Sequence, residues 1–310
     1  MNYYGSLGDG TTNHSQTPVA VTGLHDAVQI DASSGTTCAL RRTGQVVCWG
    51  YNNHGELGNG SSASSQTSPV PVSGLADAAH ISAGVNGFCA VRIGGRVVCW
   101  GARWNPLVDE PSVSRTPTAM QGVDDAIGAI ASSGGFPCAI RASSRVACWG
   151  ANWIGDPQEL REIDGLSGVI QGDNGCSLLS SGRLRCWGWM GGPGTVHRDG
   201  RYFTELIDVP AIEDAVAVSG GQSQWCGLKS RGTIACWDNT MSRYSGWPWP
   251  AEPRTVANLT GAVSLDFLHE QGCAVLRSGQ VACWIEDAQP GLSGPLQASL
   301  VPGITDALTD

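Results

Sequence analysis

Cysteine spacing constrains this chain more than any other feature. Its twelve cysteines fall into six pairs, Cys38/Cys48, Cys89/Cys99, Cys138/Cys148, Cys176/Cys186, Cys226/Cys236 and Cys273/Cys283, and the members of every pair are ten positions apart. A tryptophan follows each second cysteine: Trp49, Trp100, Trp149, Trp187, Trp237 and Trp284. First cysteines recur every 38 to 51 residues. A period of this size is the mark of stacked supersecondary units.

Each pair reads as a β-hairpin. The sixth position after the first cysteine is Gly44, Gly95, Gly182, Gly232 or Gly279, with Ser144 the exception. A three-residue hairpin loop needs a left-handed residue at its last position, which glycine adopts without steric cost. A loop at 42–44 sets Arg41 opposite Gln45 and Cys38 opposite Cys48. Opposed residues in an antiparallel pair lie about 4.5–5.5 Å apart at Cα, within disulfide reach. Aliphatic residues two after the first cysteine and two before the second (Leu40 and Val46 in the first unit) share the cysteine face, while tryptophan lies on the other. A strand apolar on both faces is packed between two sheets.

A strand-like run precedes each hairpin, as in "DAVQIDA" at 26, "DAAHISA" at 77 and "DAVAVSG" at 214. A Gly/Ser/Pro-rich connector follows, ending in runs such as "PVAVTGL" (18–24) and "PVPVSGL" (69–75). Three or four short strands per unit, with no amphipathic helical stretch, predict an all-β fold: a β-propeller of short antiparallel sheets. The hairpin units lie around residues 26–50, 77–101, 125–150, 167–188, 214–237 and 261–284, and 1–310 is expected to form a single propeller domain.

Six disulfides require an oxidising compartment, and each is expected to contribute about 2.5–3 kcal/mol. The alternative is six pairs of buried free thiols in a cytosolic protein. Zinc is disfavoured because no close CxxC pair occurs. A net charge of −9 without basic clusters argues against phosphate-mediated nucleic-acid binding. No apolar run is long enough for a transmembrane helix. The opening "MNYYGSLGDG" has no signal-peptide character and aligns with "YNNHGELGNG", the connector after the first hairpin. The expectation is that Met1 falls mid-repeat, with an in-frame hairpin and a signal sequence upstream. Six hairpins stand beside seven connectors, so either one hairpin of a seven-fold set is absent or the two ends close a six-fold ring.

"CALRRTGQVVCWGYNNHGELGNGSS" followed by "PVPV", and "CAIRASSRVACWG" in the third unit, resemble the regulator of chromosome condensation repeat family. The resemblance runs over essentially the whole chain and implies a propeller, usually seven-bladed. The cysteine pairing is similar to that of exported bacterial members. The glycine connector is clear at Gly5–Gly10 and Gly55–Gly60 and is lost from the third connector on, where aromatic residues replace it.

No catalytic constellation is legible. The glycine connectors lack a following GK[ST] and read as tight turns. The histidines, His14, His25, His54, His80, His197 and His269, have no ligand spacing, and no GxSxG elbow is present. A triad assembled across sheets remains open to sequence reasoning, because triads are defined by geometry. A glycosidase needs clustered arginines and paired carboxylates, and the arginines here fall mostly in hairpin turns. The expectation is a non-enzyme without cofactor or metal. Its candidate partner-binding residues are the connector aromatics Trp247, Trp249, Tyr244, Trp104, Trp153 and Trp189, since exposed aromatics are common hot spots.

The function expected is a monomeric, extracellular, periplasmic or cell-surface scaffold. It would recognise a protein or glycan, with no nucleic-acid partner and no membrane insertion. The family resemblance alone implies a first alternative, guanine-nucleotide exchange on a small GTPase. A hydrolase or an enzyme inhibitor is the second.

Overall fold

The structure is a computed structural model. It describes residues 2–84, 86–103, 112–131, 137–149, 160–173, 175–187, 195–198, 201–204, 206–221, 224–238, 253–268, 271–285 and 295–307. The chain divides into two compact units, Met1–Asp164 and Gly165–Asp310.

The first unit holds three four-stranded antiparallel sheets, each ordered as its chain runs. They are β1 (Ala27–Ser33), β2 (Thr36–Arg41), β3 (Val46–Tyr51) and β4 (Ser65–Pro71); β5 (Ala78–Ala83), β6 (Gly87–Arg92), β7 (Val97–Arg103) and β8 (Ser112–Ala119); and β9 (Ala126–Ala131), β10 (Pro137–Arg141), β11 (Val146–Trp149) and β12 (Leu160–Glu162). The second unit repeats the plan. Its first sheet is β13 (Val169–Asp173), β14 (Cys176–Leu179) and β15 (Leu184–Trp187), with a separate hairpin of β16 (Thr195–Arg198) and β17 (Arg201–Thr204) inserted before the closing β18 (Leu206–Asp208). The next is β19 (Ala215–Gly220), β20 (Gln224–Lys229), β21 (Ile234–Asp238) and β22 (Arg254–Ala257). The last is β23 (Ala262–Leu268), β24 (Gln271–Leu276) and β25 (Val281–Ile285). Short β26 (Leu296–Gln297) adds in parallel to β22, and β27 (Ser299–Leu300) closes the last sheet on β25. These six sheets are the blades of a β-propeller, and no helix occurs among the described residues.

Hairpin chemistry repeats in all six. The Arg41 N–H donates to the Gln45 carbonyl at 2.8 Å, and the Gly44 N–H donates to the Arg41 carbonyl at 2.9 Å. Equivalent bonds close the loops at Gly95, Ser144, Gly182, Gly232 and Gly279. The closing residue has φ +85° at Gly44 and +59° at Ser144, so the serine bears a left-handed backbone that glycine adopts freely. Counting from the hydrogen-bonded Arg41/Gln45 pair, every second pair lacks mutual bonds, and Cys38/Cys48 is one of these. Side chains approach closest at such sites.

All six disulfides form there: Cys38–Cys48, Cys89–Cys99, Cys138–Cys148, Cys176–Cys186, Cys226–Cys236 and Cys273–Cys283. Their Cα separations are 3.9–4.1 Å. This corrects the wider range expected from the sequence, because the covalent bridge draws in a ribbon already at its closest approach. The serine loop makes no difference to the bridge it closes. Cys138 of β10 stands directly opposite Cys148 of β11, 4.0 Å apart at Cα, and both are buried.

Within each unit, neighbouring sheets meet by one rule. The cysteine face of one packs on the tryptophan face of the next. Cys38, Leu40, Val46 and Cys48 pack with Ile81, Phe88, Ala90 and Trp100. Cys89, Val91, Val97 and Cys99 pack with Ala129, Ala139, Ala147 and Trp149. The second unit has the same layers, Cys176–Cys186 under Trp225 and Trp237, and Cys226–Cys236 under Phe267 and Trp284.

The inner strands carry two devices that the sequence did not announce. Each contains a β-bulge at its third position from the opening Asp or Gly, centred on Val28, Ala79, Ile127, Ile170, Val216 or Val263. The extra residue has no ladder partner and turns an aliphatic side chain to solvent in all six. In the first and fourth sheets the next residue is a glutamine that reaches over to the following sheet. The Gln29 amide donates to the Ile81 carbonyl (2.8 Å) and accepts from the Ile81 N–H (3.0 Å). Gln171 grips Val218 in the same way. Asp31 and Asp173 accept the N–H groups of Ala83 and Gly220 two residues on. These side chains pair the otherwise free edge of the neighbouring inner strand.

His80 takes the glutamine's place in the second sheet, and its Nδ1 accepts the Ala129 N–H at 3.4 Å. Burial lowers its pKa below the usual 6.5, so the folded protein holds it neutral. As pH falls through about 6.5 the unfolded chain takes up the proton first. The contribution of His80 to stability is therefore complete above that pH and declines below it. His80→Gln should flatten this part of a stability-versus-pH curve measured by urea unfolding; an unchanged slope would rule the imidazole out.

One expected strand is absent. Residues 18–24 form no ladder, although the equivalent PVPV run is paired in β4. An outer strand needs the return strand of its own sheet, and none precedes β1 among the described residues.

Candidate interaction surface

The glycine connectors build the side of the first unit on which its exposed aromatics gather. Two of them are copies of one design. The Asn2 side chain donates to the Thr11 and Asn13 carbonyls and accepts the Leu7 N–H; Asn52 does the same with Ser61, Ala63 and Leu57. Gly8 and Gly58 donate to the Gly5 and Gly55 carbonyls at 2.9 and 3.0 Å. These bonds define stacked tight turns that need left-handed glycine, as φ +71° at Gly8 and +63° at Gly58 show. A methyl group at Gly58 would lie 2.7 Å from the Trp100 ring, so the turn sits flat against the indole. Trp49 Nε1 donates to the Ser6 carbonyl at 3.0 Å, and Trp100 Nε1 to the Glu56 carbonyl at 2.8 Å. The motif thus caps the tryptophan of the following hairpin. Trp149 finds a different acceptor, the Gln121 carbonyl. The buried indole N–H groups of Trp187, Trp237 and Trp284 have no acceptor among the described residues.

On this frame sits a group of aromatic rings. Tyr4 meets Tyr51 edge to face with centroids 4.8 Å apart, and Tyr51 lies 5.9 Å from the His54 ring. Tyr3 meets His14 edge to face at 4.7 Å. Tyr3 is 65% and Tyr4 46% exposed. Their supports are fixed. Asn53 donates to the Tyr51 hydroxyl at 2.8 Å. The buried Glu56 carboxylate accepts the His54 N–H at 2.8 Å and lies 3.0 Å from its Nδ1. His14 Nδ1 accepts the Asn2 N–H at 2.6 Å. Rings held this way lose little freedom on binding, and tyrosine adds a polar tip to a broad apolar body.

The six connector aromatics expected to bind a partner, Trp104, Trp153, Trp189, Tyr244, Trp247 and Trp249, lie outside the described residues. The six tryptophans that follow cysteines are core, at 1–2% exposure. The cysteines from Cys38 to Cys283, Cys138 and Cys148 among them, are all bridged and offer no thiol for catalysis or metal binding. The tyrosine cluster was missed because sequence reasoning followed tryptophan through the degenerate connectors. The available signal was the pairing of "NYYGSLG" with "YNNHGELG", which sets tyrosines around two matching turns.

Most hairpin arginines are tied to carboxylates. Arg41 pairs with Asp26 at 2.8 Å, Arg92 with Asp77 at 2.8 Å and Arg141 with Asp125 at 2.9 Å. Each aspartate opens the inner strand of the same sheet. Arg185, helped by Arg183, holds the Asp208 carboxyl below its usual range. Asp214 is lowered by the Ser230 hydroxyl and then by Lys229. Among the described residues no group of three or more His, Cys, Asp or Glu side chains converges to hold a metal ion, and no helix is long and apolar enough to cross a membrane.

The regulator of chromosome condensation (RCC1) repeat matches residues 27–56 and, in a second family model, residues 43–91. The human E3 ubiquitin-protein ligase HERC2 is 33% identical over 104 residues, which span 32% of this chain and 2% of that protein. Among solved structures, Prp20p from Saccharomyces cerevisiae, described with its binding properties to Gsp1p and histones, aligns with a TM-score of 0.66 at 17% identity. The alignment covers 89% of this chain and 76% of that one. Human WBSCR16 aligns with a TM-score of 0.67 at 16% identity, covering 90% and 82%. At such identities the structural matches speak for the fold alone. The chain is thus a β-propeller whose residues 27–91 match the regulator of chromosome condensation (RCC1) repeat and whose fold is similar to that of Prp20p and WBSCR16.

Proposed function

We propose that the chain is a non-enzymatic binding protein of an oxidising, extracellular-type compartment, and that it holds a protein partner against the connector side of its first unit. The observation that carries this reading is the group formed by exposed Tyr3 and Tyr4 with half-buried Tyr51 and His54, supported on stacked glycine turns. Exposed aromatics on a stiff frame are the usual anchors of protein recognition. The six disulfides support export, since such bridges persist where the environment is oxidising. Prp20p, a propeller of similar build, has been described with its binding to Gsp1p and histones and in complex with Kap60. That precedent favours a protein partner over a glycan.

The test is a Tyr3→Ala/Tyr4→Ala variant. Both side chains are exposed, so its thermal unfolding should match that of the parent. Immobilised parent protein, exposed to the secreted and surface proteins of its source cells, should retain a partner that the variant binds at least about tenfold more weakly, in keeping with loss of one or two anchors. Equal retention by the two proteins would overturn the assignment of the surface. Binding to an arrayed glycan set, abolished in the same variant, would replace protein by sugar as the ligand.

A further inference from the structure

Three stretches place an asparagine two residues before a hydroxyl side chain: "NHS" at 13–15, "NGS" at 59–61 and "NLT" at 258–260. In an exported protein this pattern is the acceptor for N-linked sugar when the asparagine stands in a surface loop. The three asparagines differ in what they do for the fold.

Asn59 serves a turn. Its Oδ1 accepts the Ser61 N–H at 3.0 Å, as Asp9 Oδ1 accepts the Thr11 N–H at 3.0 Å in the matching connector. The residue is half-buried, and such a side-chain turn accounts for it. Asn258 serves another. Its φ is +57° at a turn where Gly23 has +68° and Gly74 +65°, and asparagine is one of the few residues that enter this region readily. Its Nδ2, the atom a sugar would take, donates to Gln297 Oε1 at 2.9 Å.

Asn13 has no such duty. The fold holds its backbone: the carbonyl accepts the Asn2 side chain at 2.9 Å, and the N–H donates to Thr11 Oγ1 at 3.2 Å. The side-chain amide is exposed and makes no hydrogen bond among the described residues. In the second connector, built in the same way around Asn52, the corresponding residue is Ala63. Its carbonyl accepts the Asn52 side chain at 2.7 Å, and it too is exposed. The connector therefore needs a carbonyl at this position and no amide, and the position faces solvent in both copies. A fixed backbone with a free, outward amide can carry a bulky polar group without disturbing the packing beneath it.

We propose that Asn13 is the N-glycosylation acceptor of this protein, with Ser15 as the hydroxyl residue of the acceptor pattern; this rests on the export reading given under the proposed function. The sugar donor is an oligosaccharide carried on a polyprenyl diphosphate. Asn13 Nδ2 forms a bond to the anomeric carbon, the bond from that carbon to the phosphate oxygen breaks, and the polyprenyl diphosphate leaves. The amide nitrogen gives up one proton, and nothing is oxidised or reduced. His14 meets Tyr3 edge to face at 4.7 Å, so a glycan on the adjacent residue borders the tyrosine surface.

The experiment takes protein from the medium or surface of its source cells, digests it, and treats it with a peptide N-glycosidase in heavy-oxygen water, which converts a glycosylated asparagine to labelled aspartate. The label is expected at Asn13. Asn13→Gln and Ser15→Ala should each remove glycan mass from the intact protein, while Ser15→Thr should keep it. A thiol count on the same sample separates this inference from the one it rests on. Intact bridges with an unlabelled Asn13 would overturn the glycan site and leave export standing, whereas free thiols would remove both. Label confined to Asn59 or Asn258, or undiminished glycan mass in Asn13→Gln, would also overturn the assignment.

Discussion

Trp100→Ala is expected to lower the stability of the protein by about 3–5 kcal/mol, the range for emptying a fully buried tryptophan site. Trp100 is almost wholly buried, lies parallel to Phe88 with centroids 5.9 Å apart, and packs over the disulfide of the preceding sheet. Its Nε1 also satisfies the Glu56 carbonyl at 2.8 Å. The polar share can be isolated by a milder change. Trp100→Phe leaves the Glu56 carbonyl without this donor, whereas Trp284→Phe deletes a buried indole N–H that has no partner among the described residues. An unsatisfied buried group costs about 1–3 kcal/mol, so the first phenylalanine variant should be the less stable by roughly that difference. Urea unfolding of the two variants side by side measures it. Equal losses would mean that the glycine connector does not work as a cap for the indole.

Removing one staple has an effect of similar size. Cys89→Ala/Cys99→Ala opens a hairpin bridged across ten positions, and the chain-entropy relation puts the loss at about 2.5–3 kcal/mol, with the mechanism depending on the model used. The packing change is small, since alanine keeps the apolar face against Met120, Val123 and Trp149. The denaturant midpoint should fall in oxidising buffer, and parent and variant should draw together once the parent is fully reduced. An unchanged midpoint in oxidising buffer would show that the bridge adds nothing to a hairpin already fixed by its loop and its neighbours.

Much of the architecture was legible because it is local and repeated. A ten-residue spacing with glycine at the sixth position admits few backbones, and the hairpin at Cys38–Cys48 is the one it specifies. The spacing outweighs the glycine: Cys138 and Cys148 are bridged in the same register although Ser144 closes their loop. Alternation of Cys, Leu and Val on one face with Ala and Trp on the other told which residues would be core. The candidate surface was less legible. Tyr4 and Tyr51 are far apart in sequence and meet only because two glycine turns of the same build stand side by side. The run at 18–24 has strand composition but lacks a ladder, since β-propensity acts only where a partner strand offers its edge.

By itself, the sequence determined the repeat, the loop type, the disulfide pairing and the two apolar faces of each hairpin. These depend on contacts within about a dozen residues, where the chain has little freedom to choose otherwise. Only the tertiary structure decided the bulges that turn Val28 and Ile127 outward, the grip of Gln29 on Ile81 and the aromatic cluster. Each of these depends on what a neighbouring sheet supplies or withholds, and a residue's own segment carries no record of its neighbour.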